Sequence, residues 1–205
     1  CVREVTFAGR RRSRANLLLP RVRRDFTAVT IARMSVRIGY ACINTRLPSS
    51  SRTTRLDRLT PERLEELIQG NLSALQTILE WNTAHGIRLF RISSGIIPFG
   101  SHPANTFPWE QVFRSELVKI GSFIRHNQMR VSMHPGQYTV LNSPRPDVLQ
   151  ASIAELVYHA RFLDSLGLDS SHNLILHLGG VYGDKHRSTE RFVAGYHLLP
   201  PAVAS

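Results

Sequence analysis

Met129-Arg130-Val131-Ser132-Met133-His134-Pro135-Gly136-Gln137-Tyr138 is a short, mostly apolar run that ends on an imidazole and drops at once into a Pro-Gly turn. A run of this length bounded by turn residues reads as a buried β-strand, which places His134 at the strand's C-terminal end. The pattern repeats at Asn173-Leu174-Ile175-Leu176-His177, which leads into Leu178-Gly179-Gly180. Two further runs, Ile87–Ile92 and Val36–Ile43, complete a set of four.

The segments between these runs carry apolar residues at helical spacing. Thr60-Pro61 supplies an N-cap and a proline at the first helical position, and Leu64, Leu67, Ile68, Leu75, Ile78 and Leu79 follow until His85-Gly86 closes the helix. A second helix is expected from about Pro108, with Val112, Phe113, Leu117, Ile120 and Ile124 on its apolar face. The third carries Leu149, Ile153, Leu156, Val157, Ala160 and Leu163 and ends at Gly167, and a last one runs from Lys185 toward Pro200-Pro201. Strands alternating with amphipathic helices are the layout of βα units around a parallel sheet. Four such units fill about half of the roughly 250 residues of a complete TIM (β/α)₈-barrel, so the fold class is α/β, either a small open sheet or a partial barrel.

The formal charge of +11 suggests a nucleic-acid partner, but its distribution is uneven. Residues 1–33 hold nine arginines against Glu4 and Asp25, which leaves +4 for the rest of the chain. The preferred reading sets residues 1–33 apart as an Arg-rich extension, disordered or not native to the protein, and starts the partial-barrel domain at Met34, running over 34–205. A transit peptide and a nucleic-acid-binding arm are the alternatives. No apolar stretch is long enough to span a membrane, and Cys1 and Cys42 do not make a disulfide framework, so a reducing cytoplasm is expected.

In parallel α/β folds the chemistry gathers where strands end and βα loops begin. Tyr40 and Asn44, His102, His134 and His177 all fall at such positions. His134 and His177 each follow a strand directly, so their imidazoles could share one divalent ion with carboxylates completing its shell. His102 lies in a loop, where pinning the Ser101-His102-Pro103 turn and contacting a metal or phosphate are equally good readings. Lys185, beyond Gly179-Gly180 and Gly183, is either a phosphate contact or a solvated lysine. Gln137 and Tyr138 could enter a duplex and stack on a displaced base, or could simply pack in their loop. His85, His126, His159, His172, His186 and His197 fall within or beside helices or before a strand and read as structural or surface residues.

Taken together, Gly39-Tyr40 with Asn44, Arg52-Thr53-Thr54-Arg55, Trp81-Asn82, Arg91-Ile92-Ser93-Ser94, Ser101-His102-Pro103, His134-Pro135-Gly136-Gln137-Tyr138, Leu141-Asn142-Ser143-Pro144, Tyr158-His159-Ala160 and His177-Leu178-Gly179-Gly180-Val181-Tyr182-Gly183-Asp184-Lys185 resemble the ultraviolet-damage endonuclease family. The match runs from about Val36 to Pro200. It implies a TIM barrel with a divalent metal cluster, usually Mn²⁺ with Zn²⁺ or Mg²⁺ as alternatives, that nicks damaged double-stranded DNA 5′ of pyrimidine dimers and 6-4 photoproducts. It implies a bacterial, nucleoid-associated enzyme with no obligate protein partner.

Carried over by residue, the resemblance makes His134 and His177 metal ligands and His102 and Lys185 active-site residues. Gln137 and Tyr138 become the lesion probe, and Tyr40 and Asn44 DNA-contacting or active-site residues. The family pattern continues past Pro200 into strands with a bridging glutamate and further Asp, His and Glu ligands. This chain alone is therefore expected to be inactive. The competing readings are another metal-dependent TIM-barrel enzyme, an abasic-site endonuclease or a sugar isomerase, and a non-enzymatic basic nucleic-acid-binding protein.

Overall fold

The computed structural model describes residues 37–204. The Arg-rich stretch 1–33, and with it the expected domain start at Met34, lies outside the described residues. Strands β1 (Gly39–Ala41), β2 (Leu89–Ile92) and β3 (Arg130–Met133) form a parallel sheet in that order. Gly39 pairs with Leu89, and Arg91 with Ala41 on one side and Ser132 on the other. The helices are α1 (Pro61–Ala84), α2 (Trp109–Val112), α3 (Arg114–His126), α4 (Pro146–Ser165), α5 (Lys185–Tyr196) and α6 (Pro201–Ala204). No helix among the described residues is long and apolar enough to cross a membrane.

The first βα unit follows its sequence signals closely. Thr60 caps α1 by accepting the Arg63 backbone N–H at 3.2 Å, Pro61 opens the helix, and Gly86 in the left-handed region (φ +72°) ends it. Leu64, Ile68, Leu72, Leu75, Ile78 and Leu79 all turn inward. Period-two alternation sends Phe90, Ile92, Val131 and Met133 to the same helix-facing side of the sheet, where they meet Leu117 and Ile124 of α3 and Phe162 of α4. Gly121 lets α3 approach the end of α4, because a Cβ there would stand 1.7 Å from the Leu166 carbonyl oxygen.

Three expectations need correction. The first strand is shorter than Val36–Ile43, because Cys42 takes a left-handed conformation (φ +61°) that turns the chain out of the sheet. The second helix is broken at Phe113 (φ −100°, ψ 19°), and the break rotates its face: Trp109 is buried, and Val112 is 46% exposed and no core residue.

The fourth strand, expected over Asn173–His177, is reduced to one bridge between Met133 and Leu174. The Met133 N–H donates to Asn173 O at 3.1 Å, and Ile175 N–H donates to Met133 O at 2.9 Å. Side chains take the preceding rung. Ser171 O accepts from Arg130 Nε at 2.9 Å, and the Val131 N–H donates to His172 Nδ1 at 3.1 Å. At the following rung the donor position is Pro135, which has no N–H.

His172 therefore supports the sheet edge only as a neutral acceptor. Burial, its largest influence, holds its pKa below the ordinary value, with Arg130 and Arg125 acting in the same direction and Asp169 opposing. A pKa lower in the folded than in the unfolded chain means stability that is present above the unfolded value and lost as pH falls through the folded one. The melting temperature is thus expected to fall as pH is lowered from about 6.5 toward 5, in the range where an unperturbed histidine titrates. The fall should be shallower in His172→Asn, and identical pH slopes for the two proteins would exclude this contribution.

Candidate metal and nucleic-acid site

His134 follows β3 directly, two residues beyond Ser132, and shares the sheet face turned away from the helices. The bridge at Leu174 puts His177 on that same face by the same alternation. The two rings meet edge to face, with centroids 4.6 Å apart, and their Nε2 atoms stand 2.9 Å apart. At that distance one nitrogen donates and the other accepts, so the pair is neutral or singly charged. Burial lowers the pKa of His134, with the positive charge of His177 and then of Arg91 adding to the effect. A neutral imidazole is the form a metal requires.

The donor set suits a divalent ion as far as it goes. Two nitrogens each about 2.1 Å from one ion at roughly a right angle would stand about 3 Å apart. Among the described residues no group of three or more His, Cys, Asp or Glu side chains gathers to enclose an ion, so the pair by itself would give only part of a shell.

His102 is exposed in the loop after β2. Its Nδ1 accepts the Ala104 N–H at 3.1 Å, and its ring lies edge-on to Phe99 with centroids 6.0 Å apart. The loop itself is firmly held. The buried Tyr158 hydroxyl of α4 accepts from Ile97 N–H at 3.2 Å and donates to Ser94 O at 3.0 Å. Asn71 of α1 donates to Ile96 O at 3.1 Å, Asn105 donates to Pro98 O at 2.9 Å, and Ser101 donates to Glu155. Gly100 has no room for a side chain, because a Cβ would stand 2.3 Å from the Tyr158 ring.

Tyr158→Phe keeps the ring and strands a buried N–H and a half-buried carbonyl. Unfolding free energy should drop by about 1–3 kcal/mol in urea titration. A variant as stable as the parent would mean that water replaces the hydroxyl.

Gln137 and Tyr138 form the tip of a turn closed by Thr139 N–H donating to Gly136 O at 2.9 Å, and Tyr138 is 82% exposed. Both line an open groove of about 720 Å³ whose far wall is His177, Gly179, Gly180 and Tyr182. A buried cluster around Asn142 ties that groove together. Asn142, 2% exposed, donates from Nδ2 to Gly180 O at 2.8 Å and to Ser188 Oγ at 2.7 Å. The Asn142 backbone carbonyl accepts from Arg191 Nε at 2.9 Å, and the Arg191 guanidinium lies over the Tyr182 ring at 5.5 Å.

Lys185 opens α5, which Asp184 caps by accepting the Arg187 N–H at 3.1 Å. Its side chain is exposed beside a small cavity of about 200 Å³ shared with Asn142, Gly179 and Gly180.

Tyr40 and Asn44 are brought together: Asn44 Nδ2 donates to the Tyr40 hydroxyl at 3.0 Å. That hydroxyl donates to Asn82 of α1 at 2.7 Å, and the ring meets Phe90 at 5.2 Å, so Tyr40 faces the helix layer.

Sequence reasoning treated His159 as one more helical histidine. It is 0% exposed, its Nδ1 bonds Glu155 O at 2.7 Å, and its Nε2 has no partner among the described residues. Burial depresses its pKa. Glu155, Tyr158 and His159 share one face of α4, a spacing of three and four that could have drawn attention to them.

A protein-family model described as UV-endonuclease UvdE matches residues 36–205. A UV DNA damage endonuclease of Clostridium perfringens (strain 13 / Type A) is 48% identical over 167 residues, covering 80% of this chain and 40% of that protein. One of Bacillus cereus (strain B4264) is 34% identical over 179 residues, covering 83% of this chain and 56% of the relative. The chain thus spans about half the length of these relatives. A solved structure titled "Crystal Structure of SacUVDE" superposes with a TM-score of 0.79 at 41% identity, over 82% of this chain and 58% of that one.

Proposed function

Because the chain belongs to the UV-endonuclease UvdE family, we propose that it serves a DNA-repair endonuclease that nicks the phosphodiester backbone 5′ of ultraviolet photoproducts. The observation that carries this reading is the facing imidazole pair, His134 and His177, with His177 in the wall of a groove that Gln137 and Tyr138 also line. The fold is read as part of a TIM barrel, with its loops at the C-terminal ends of the strands forming the DNA-facing rim. Family membership favours this reading over an abasic-site endonuclease or a sugar isomerase.

In this reading His134 and His177 hold a divalent ion, Mn²⁺ by the family resemblance. A bound ion of this kind acidifies a water and neutralises charge on a phosphate oxygen. The chain's own groups supply the setting. Burial and the neighbouring positive charge keep the His134 lone pair available. Tyr138, exposed at the tip, presents an aromatic face on which a displaced base can stack, and the Gln137 amide offers both a donor and an acceptor to a base edge. Tyr40 with Asn44, His102 and Lys185 are the remaining candidates for contact with the duplex. Two imidazoles without a carboxylate bind a divalent ion weakly, so the pair needs further oxygen ligands to work.

The test is nicking of an ultraviolet-irradiated duplex oligonucleotide with added Mn²⁺. It compares this chain with the same chain joined to the part of the Clostridium perfringens relative that the match leaves uncovered. Incision 5′ of the photoproduct by the joined protein, absent from undamaged duplex, is the expected result. A folded joined protein with no incision would sink the reading, and incision by this chain alone would show that the imidazole pair needs no further ligands.

A further inference from the structure

Arg91 lies at the middle of the sheet, on β2, between two strands that frame it. Its register partners are Ala41 on β1 and Ser132 on β3. Phe90 and Ile92, its neighbours in sequence, point into the core. Arg91 therefore shares the opposite face with Ser132 and with the strand-end imidazoles His134 and His177.

A charged side chain in the middle of a sheet is costly unless something pairs with it. Arg55, Arg63, Arg145, Arg161 and Arg187 each face a carboxylate. Arg91 has no such partner among the described residues, and its Nε is buried with no hydrogen bond. The side chain is half-buried, and its charge reaches His134, where it disfavours a second positive charge.

We propose that Arg91 is an oxyanion-binding residue that takes a phosphodiester of the DNA backbone beside the imidazole pair. The proposal rests on the endonuclease reading and adds a substrate contact to it. A guanidinium presents Nε–H and one Nη–H along a single edge, matching two oxygens of a phosphate. The strand holds that edge in place, so little freedom is lost when the anion arrives. The residue at the same level of β1 is an alanine, which brings no polar group to the guanidinium from that side. An anion seated here would satisfy the stranded Nε–H and lie next to the nitrogens that hold the ion in the proposed reading.

The test uses the full chain labelled with ¹⁵N, without divalent metal. The Nε–Hε resonance of Arg91 is identified as the one missing from Arg91→Lys, whose fold is checked by circular dichroism. Inorganic phosphate is added at constant ionic strength, with chloride and acetate as separate arms. A saturable shift with phosphate, at least several-fold larger than with either other anion, is the expected result. No shift, an equal shift with chloride, or a stronger response to acetate would overturn the proposal, the last by identifying a carboxylate site.

A second arm measures binding of an undamaged duplex oligonucleotide against salt. Arg91→Gln should lower the slope of log affinity on log salt by about 0.9, the release expected for one phosphate contact. An unchanged slope would also overturn the proposal. Loss of the phosphate response in a protein that still incises irradiated DNA would refute this site alone. A sound phosphate response in a joined protein that never incises would refute the endonuclease reading alone.

Discussion

Replacing either His134 or His177 by alanine is expected to weaken Mn²⁺ binding by at least about a hundredfold, because changes in the shell around a metal's ligands already cost 10- to 100-fold. The Nε2 atoms are the only pair of strand-end nitrogens facing each other among the described residues, 2.9 Å apart, and either substitution leaves one nitrogen alone. Folding should barely change. His177 is exposed and His134 half-buried, and the group left behind can turn to water.

Calorimetric titration with Mn²⁺ reads the affinity, and circular dichroism checks that the fold persists. Affinity should also drop on acidification below the ordinary histidine range, because burial holds the His134 pKa down and protons compete for its nitrogen only there. Parent-like affinity in both variants would place the metal elsewhere in the protein.

The largest effect on stability is expected at Phe162. Its side chain on α4 is fully buried and packs against Trp109 with ring centroids 6.1 Å apart, at the meeting point of helices and sheet. Phe162→Ala should lower unfolding free energy by about 3–5 kcal/mol, the range for emptying a large aromatic site in a well-packed core. Whole domains are stable by only about 5–15 kcal/mol, so this variant would sit near its folding threshold. Urea titration of parent, Phe162→Ala and Phe162→Leu measures it, with the leucine variant intermediate. A loss under about 1 kcal/mol, as is usual for surface positions, would mean that Phe162 is not a core residue.

The parts of this fold that can be read from sequence are those set by local chemistry. Thr60-Pro61 and Gly86 bound α1 because a cap, a fixed φ and a left-handed turn act over a few residues. The shortened fourth strand could not be read that way. Its limits come from Arg130 and His172 intercepting one rung and from Pro135 lacking a donor for the next, and the first two depend on side chains reaching between segments distant in the chain. The break at Phe113 was hidden for a different reason, since an apolar residue at the right spacing looks the same inside a helix and between two.

The site divides similarly. His134 and His177 stand out because each ends an apolar run before a turn, and the structure brings them together. Arg91 does not stand out. Within a strand an arginine at alternating spacing looks like an ordinary solvated position, and only the register with Ala41 and Ser132 shows that it lies between strands. Asn142 was visible only as one letter of a family motif, and its fastening of two loops has no local signature.

That fastening has a mechanical consequence. Because the Asn142 amide and the Ser188 hydroxyl both donate to Gly180 O, while Arg191 spans Asn142 O and the Tyr182 ring, the gap between the two walls is set by buried side-chain contacts and not by the length of either loop. Thermal drift on the nanosecond scale, ordinary for surface loops, then carries both walls together. In the proposed endonuclease reading, a duplex arriving at the groove would meet the jaws of a calliper held at one opening. DNA that bends or unstacks readily can conform to such a gauge, and intact stiff helix must pay the full cost of deformation to do so.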